Sequence, residues 1–204
     1  VISPGISVKK YPCCFVTHRP ADATLTLVEQ HSLTPEQVDH IEVHVPNGAI
    51  SSTGHVGPLI HSRPQTGLEG KFSLEYVVAA SLFDGKLKFA TFEDASVQRP
   101  EVQAFLPKVT AVPDADGHPA ADSLGGGVNI VEIHTTDGRV LTEALNEPRG
   151  GPSSPLSWDE LLDKYNDCAT RTLSDEAAQR SAELLVDLDE VANVSELTAT
   201  LSTA

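Results

Sequence analysis

Between Asp39 and Pro46 apolar and polar residues alternate without a break, Ile41, Val43 and Val45 against His40, Glu42 and His44. Only a strand with one buried and one open face satisfies a period of two. A second such signal runs from Val128 to Leu145. There Val128, Ile130 and Ile133, then Val140 and Leu141, flank Thr135, Thr136, Asp137 and Gly138. The Asp-Gly step supplies the positive φ angles of a tight hairpin. Lys108 to Val112 is a further expected strand. Helical spacing occupies Ala21 to His31, and Lys71 to Phe83 with Phe72, Tyr76, Ala79, Ala80 and Phe83 on its apolar side. The second stops at Asp84 and Gly85. Thr34, Pro35, Glu36 and Gln37 form a capping box that opens one short turn, and a weaker helical pattern surrounds Pro100 between Thr91 and Leu106. Asn47 to Gly70 has no periodicity and reads as a long loop of the functional kind, and Asp114 to Gly127 as a flexible one. After the Gly, Pro and Ser linker at Pro148 to Pro155 the pattern turns wholly helical. Ser157 caps Trp158 to Thr170, and Asp175 to Val191 and Ser195 to Leu201 follow.

The expected class is therefore α+β: a two-layer domain over residues 1–155, with a mostly antiparallel sheet of about four strands packed by helices. A helical C-terminal extension over residues 156–204 is expected to pack on it.

With 204 residues the chain can bury a core without a metal or disulfide staple. Its formal net charge of −15 repels a phosphate backbone, so nucleic acid and anionic membrane surfaces are excluded as partners. The charge is uneven, however. Residues 1–90 carry seven bases against eight acids, and residues 91–204 seven against twenty-one. An anion would bind in the first half. No run approaches the length of a membrane span and Val1 to Lys10 lacks the regions of a signal peptide. Three cysteines, adjacent at Cys13 and Cys14 and distant at Cys168, are not a disulfide framework. The expected location is the cytoplasm or another reducing compartment. The sequence contains no methionine, so Val1 is expected to lie inside a longer protein.

Few residue patterns carry recognisable chemistry. His40 and His44 share a strand face but sit two pleats apart, with no third ligand at a natural spacing, and read as solvent-facing. Gly125, Gly126 and Gly127 lack the spacing, preceding strand and following helix of a phosphate cradle. No nucleophile elbow, P-loop or zinc-protease helix is present. What remains is a polar cluster in the first eighty residues: Lys9, Lys10, Tyr11, Thr17, His18 and Arg19, then His61, Arg63, Lys71 and Tyr76. Such residues bind carboxylates and move protons, which suits small polycarboxylates. By residue type alone, Tyr76 on an apolar helical face is more often core than catalyst.

The strings are more specific than the types. Lys9-Lys10-Tyr11-Pro12-Cys13-Cys14, with His18 and Asp22-Ala23 after it, resembles the opening of the second domain of the MmgE/PrpD family. So does Arg63-Pro64-Gln65-Thr66-Gly67-Leu68-Glu69-Gly70-Lys71-Phe72-Ser73-Leu74-Glu75-Tyr76, followed by Ala79-Ala80 and Asp84-Gly85. Gln98-Arg99-Pro100-Glu101-Val102, the Asp137-Gly138 turn, and Gly151-Pro152 through Pro155-Leu156-Ser157 to Lys164-Tyr165 continue in the family's order. The resemblance reaches to about Thr170.

It implies a place among 2-methylcitrate dehydratases, cis-aconitate decarboxylases and iminodisuccinate epimerases. These are two-domain enzymes with a helical N-terminal domain, an α+β lid and a cleft between, and they use no metal or organic cofactor. Carried over by position, His18 and Tyr76 are implied as catalytic, and Lys9, Arg63 and Lys71 as substrate-binding. Cys14 departs from the pattern, standing where the decarboxylases resemble one another in a His and the dehydratases in a Glu. The Asp, His and Lys groups that do most of the proton abstraction belong to the helical domain, which has no counterpart here. The implied function is thus one half of a cofactor-independent lyase, a hydro-lyase or carboxy-lyase, for a small di- or tricarboxylate, inactive without its helical partner. Alternatives are an isomerase or epimerase of a dicarboxylate, a non-catalytic partner, or a polycarboxylate-binding module. The implied assembly is a homodimer or heteromer.

Overall fold

A computed structural model describes residues 5–46, 48–114 and 127–202. Apart from its two ends, the run expected to form a loop between Asp114 and Gly127 lies outside them, as do Gly125, Gly126 and Asn47. The described residues form two compact units, 1–155 and 156–204.

The first unit begins with α1 (His18–His31), which is followed by the capped turn Pro35–Gln37 and β1 (Val38–Val45). Short helices α2 (Gly67–Gly70), α3 (Leu74–Asp84), α4 (Asp94–Val97) and α5 (Pro100–Phe105) then lead to β2 (Val109–Pro113). The hairpin β3 (Asn129–Thr135) and β4 (Val140–Leu145) completes a sheet of order β2-β1-β3-β4. Pairing is antiparallel between β1 and β3 and between β3 and β4, and parallel between β1 and β2. The class is α+β, as the patterns require. Gly138, at φ +87°, turns the hairpin in a conformation that side chains resist.

Alternation sets the sheet's two faces. Ile41 and Val43 of β1 lie opposite Ile133 and Val131 of β3, and all four are wholly buried. On this face α1 packs against β3 and β4, α3 against β2, and the two helices against each other. The core continues into Leu27 of α1 and Val77, Val78 and Ala80 of α3. The other face carries His40, Glu42 and His44 from β1 beside His134, Glu132 and Ile130 from β3.

Helix α3 starts three residues later than its periodicity suggests. The Ser73 hydroxyl accepts the Tyr76 amide at 3.0 Å and fixes the first turn there. Before it, Thr66 caps the separate turn α2. In the second unit, α6 (Trp158–Ala169) begins with a full capping box between Ser157 and Glu160. It packs on α7 (Asp175–Val186), which packs on α8 (Val194–Thr200). The Tyr165 and Ser181 hydroxyls join α6 to α7 at 2.6 Å. The pattern read through to Val191 breaks after Val186, and Leu188–Glu190 forms a separate 3-10 turn. Among the described residues no helix is long and apolar enough to cross a membrane.

Candidate active-site face

The segment before α1 is held by one buried carboxylate. Asp22, on the first turns of α1, accepts the Tyr11 hydroxyl at 2.6 Å and the Arg149 backbone amide at 2.9 Å, with the Lys10 ammonium 3.9 Å away. Burial raises its pKa, and the Tyr11 hydrogen bond, the Arg149 amide and the Lys10 charge oppose that rise. Val8 donates its amide to the Gly150 carbonyl at 2.8 Å, so the same loop grips the segment twice.

Downstream of Tyr11 the chain makes a tight turn at Cys13 and Cys14. The Thr17 hydroxyl donates to the Cys14 carbonyl at 2.7 Å and lies 3.2 Å from the Cys13 sulfur. The Lys9 ammonium donates to the Cys13 carbonyl at 3.2 Å, while the Cys14 amide donates to the Lys71 carbonyl at 2.9 Å. The two motifs, sixty residues apart, are therefore adjacent. The charges of Lys9 and Lys71 both act on the Cys13 thiol, although burial dominates and pushes it up to about 12. Cys13 is an inert thiol. Cys14 is half-buried, and Lys9 is exposed.

Lys71 is placed by what surrounds the turn before it. A Cβ on Gly67 would sit 1.8 Å from the Phe92 carbonyl oxygen, and one on Gly70 would lie 3.1 Å from the Tyr76 ring. Glycine is required where this turn meets its neighbours. The Gly67 amide also donates to Asp94 at 2.7 Å, and the Gln98 side chain reaches the Gln65 carbonyl at 2.7 Å. The Lys71 ammonium lies 5.6 Å from the centre of the Phe89 ring, within cation–π range. The His61 amide donates to the Phe72 carbonyl at 3.4 Å, which brings the long loop to the same place.

The residues expected to form the site fall into two groups. Lys9 and Lys71 converge on the Cys13–Cys14 turn. Arg63 is exposed on the approach to α2, and no hydrogen bond or ion pair among the described residues joins it to them. His18 and Tyr76 are wholly buried. The His18 ring packs between Tyr11 and Phe15, with centroids 5.2 and 5.3 Å away, directly beneath the turn. The Tyr76 hydroxyl donates to the Thr91 carbonyl and its ring meets Phe92 edge-on at 6.0 Å. Burial pushes this phenol up to about 12, against the nearby Arg99 charge, which favours ionisation. Arg99 itself grips Asp84 with two bonds of 2.8 and 2.9 Å. Arg19 is likewise interior, its guanidinium donating to the Gly127 and Asn146 carbonyls. Burial lowers its pKa to about 10.

Two groups carry more weight in the structure than in the sequence. Asp22 organises the whole opening segment, and only the Tyr11 and Asp22 pairing across a folded turn reveals it. Glu75 is half-buried on α3, 3.4 Å from the Ser73 hydroxyl. Burial raises its pKa, and the charge of His55 from the long loop works against that rise.

The chain matches the model of the MmgE/PrpD C-terminal domain over residues 11–190. Among curated proteins it is similar to cis-aconitate decarboxylases: 27% identical to that of Aspergillus terreus over 94% of this chain, and 29% identical to that of Mus musculus over 96%. The human enzyme of the same name is 27% identical over 96% of the chain. The matches cover 39% to 40% of these relatives, so the chain spans about two fifths of their length. A match of the family model across nearly the whole chain, on a sheet and helices whose joined turns carry the quoted motifs, has one meaning: the chain belongs to the MmgE/PrpD family and is its C-terminal domain.

Proposed function

We propose that this domain is one half of a cofactor-independent lyase for a small di- or tricarboxylate, with the proton-abstracting base supplied by a helical N-terminal domain. The observation that carries the proposal is the joining of the Lys9 and Lys71 motifs at the Cys13–Cys14 turn, where the Lys9 ammonium donates to the Cys13 carbonyl and the Lys71 carbonyl accepts the Cys14 amide. A polycarboxylate bound at this turn would be held by cations from both motifs. The names of the relatives support a substrate of this class.

The chemistry starts with removal of a proton beside a carboxylate. Negative charge then builds on that carboxylate, and Lys9 and Lys71 oppose it where it develops. In a dehydration the β-hydroxyl then leaves as water, taking up a proton; in a decarboxylation carbon dioxide leaves its bonding pair on the carbon skeleton, and protons are returned to carbon so that hydrogen replaces the lost carboxylate. Cys14 at the same turn brings no imidazole and no carboxylate, so the choice between these outcomes falls to groups outside this domain and to the pose they impose. His18 and Tyr76 act as positioning residues. His18 supports the turn that presents Lys9 and Cys14, and Tyr76 fixes the Thr91 segment against which α2 and Lys71 are set. Arg63 serves substrate entry or contact with the helical domain.

The test is steady-state kinetics of the two-domain protein carrying Lys9→Ala or Lys71→Ala, assayed with cis-aconitate, 2-methylcitrate and iminodisuccinate. A charge-assisted hydrogen bond contributes about 1.5–3 kcal/mol. Each variant is therefore expected to lose about 10- to 150-fold in kcat/KM on the true substrate, with assembly unchanged. Loss of assembly with full specific activity would instead make the domain a non-catalytic partner.

A further inference from the structure

The outer face of the sheet brings together five side chains that local spacing keeps apart. In the β1–β3 register His40 faces His134 and Glu42 faces Glu132, with His44 one step further along β1. The pairing supplies the neighbours that His40 and His44 lack on their own strand.

The geometry is that of ligands around a missing centre. His44 Nε2 lies 3.7 Å from a Glu42 oxygen and 3.6 Å from a Glu132 oxygen. His134 Nε2 lies 3.7 Å from the same Glu132 oxygen. These separations exceed a hydrogen bond. They approach the ligand-to-ligand edge of a tetrahedral zinc site, roughly 3.3–3.6 Å from the usual bond lengths. Donor atoms of Glu42, His44 and Glu132 all lie within 4.8 Å of one another, as do those of His40, Glu42 and His134.

Two further observations point to a ligand. The Nε2 atoms of His44 and His134 are shielded from solvent and have no hydrogen-bond partner. Such a nitrogen is unsatisfied as it stands, and in its unprotonated form its lone pair ligates a cation shared with the carboxylate. Glu42 and Glu132 are also like charges directly opposite each other on paired strands, an arrangement that destabilises a sheet unless it is neutralised. Beside them Asp39 holds the Nδ1 of His40 at 2.9 Å, the carboxylate–imidazole contact that orients metal-binding histidines. The His40 and His134 rings stack at 4.1 Å, fixing both.

We propose that Glu42, His44 and Glu132, with His134 and His40 alongside, bind a divalent transition-metal ion of the zinc type. The His44 imidazole and two carboxylates give zinc three donors and balance its charge. The ion would clamp β1 to β3 on the face opposite the helices.

The experiment titrates the chain with Co2+ and Zn2+, following the visible absorption of Co2+ and the heat of Zn2+ binding. Glu132→Gln and His44→Ala are compared with His31→Ala, which alters an exposed histidine at the end of α1. About one equivalent is expected to bind without a thiolate charge-transfer band. Its affinity should fall roughly 100-fold or more in the first two variants and stay unchanged in the third. Melting in the presence of chelator, no lower for Glu132→Gln than for the parent chain, shows that the variant is folded. Absence of binding, binding undiminished in Glu132→Gln, or a thiolate band that assigns the ion to cysteine would each overturn the proposal.

Discussion

Replacing Tyr76 by Phe separates a positioning role from a catalytic one. The substitution keeps the ring that meets Phe92 and covers Gly70, and removes only the hydroxyl that donates to the Thr91 carbonyl. The residue is wholly buried, so no water replaces the lost donor within the unit. A buried acceptor deprived of its partner costs about 1–3 kcal/mol. In a domain of this size each kcal/mol lowers Tm by about 2–4 °C, so a fall of roughly 2–12 °C is expected. The assay is a thermal and urea melt of the chain, paired with kcat of the two-domain protein. That kcat should stay within about 2-fold, because positioned acid–base groups, which contribute about 100- to 10,000-fold, are not removed. Unchanged stability together with a kcat loss of that size would refute the positioning role and place the phenol in the chemistry.

Other substitutions probe the joined turns. Gly67→Ala drives a Cβ against the Phe92 carbonyl, and is expected to cost at least about 2–3 kcal/mol in urea unfolding. A change below about 0.5 kcal/mol would contradict the close approach. Alkylation with iodoacetamide at neutral pH, read by peptide mass, should modify the exposed Cys168 and spare Cys13, whose thiol burial holds at about 12. Early labelling of Cys13 would contradict its burial. The raised pKa of Asp22 gives a signed pH dependence. Its contribution to stability is fully present below the unfolded-state pKa and is lost as pH rises through the folded one. The unfolding free energy of Asp22→Asn relative to the parent should therefore shift in the variant's favour across that window, and a shift in the opposite direction would contradict the assignment.

Local order was legible because local physics sets it. The alternation of β1, the capping box at Ser157 and the Asp137-Gly138 turn each carry their own signal, and each element stands where that signal puts it. Helix α3 shows the limit. Phe72 to Phe83 keeps one period, yet the Ser73 cap and the separate α2 turn delay the helix to Leu74 and leave Phe72 exposed ahead of it, so the buried side begins only within the helix. Periodicity reports a buried side and not the residue at which hydrogen bonding begins. Non-local pairing was not legible at all. The parallel union of β1 with β2, the meeting of Cys14 with Lys71, and the facing of Glu42 by Glu132 join residues 57 to 90 positions apart. No spacing along the chain encodes them. Tyr76 shows the same limit from the other side, since the motif that marks it does not say that its hydroxyl is committed to Thr91.

Turnover tests the central claim most directly. The chain alone and the chain joined to a helical N-terminal domain of the family would be assayed side by side on cis-aconitate and 2-methylcitrate, with product followed by mass spectrometry. Turnover is expected only when the helical domain is present, because the proposed base lies there and this domain is proposed to supply only carboxylate-binding cations. Conversion by the chain alone at ordinary enzyme rates, on the order of 1 to 1,000 per second, would contradict it.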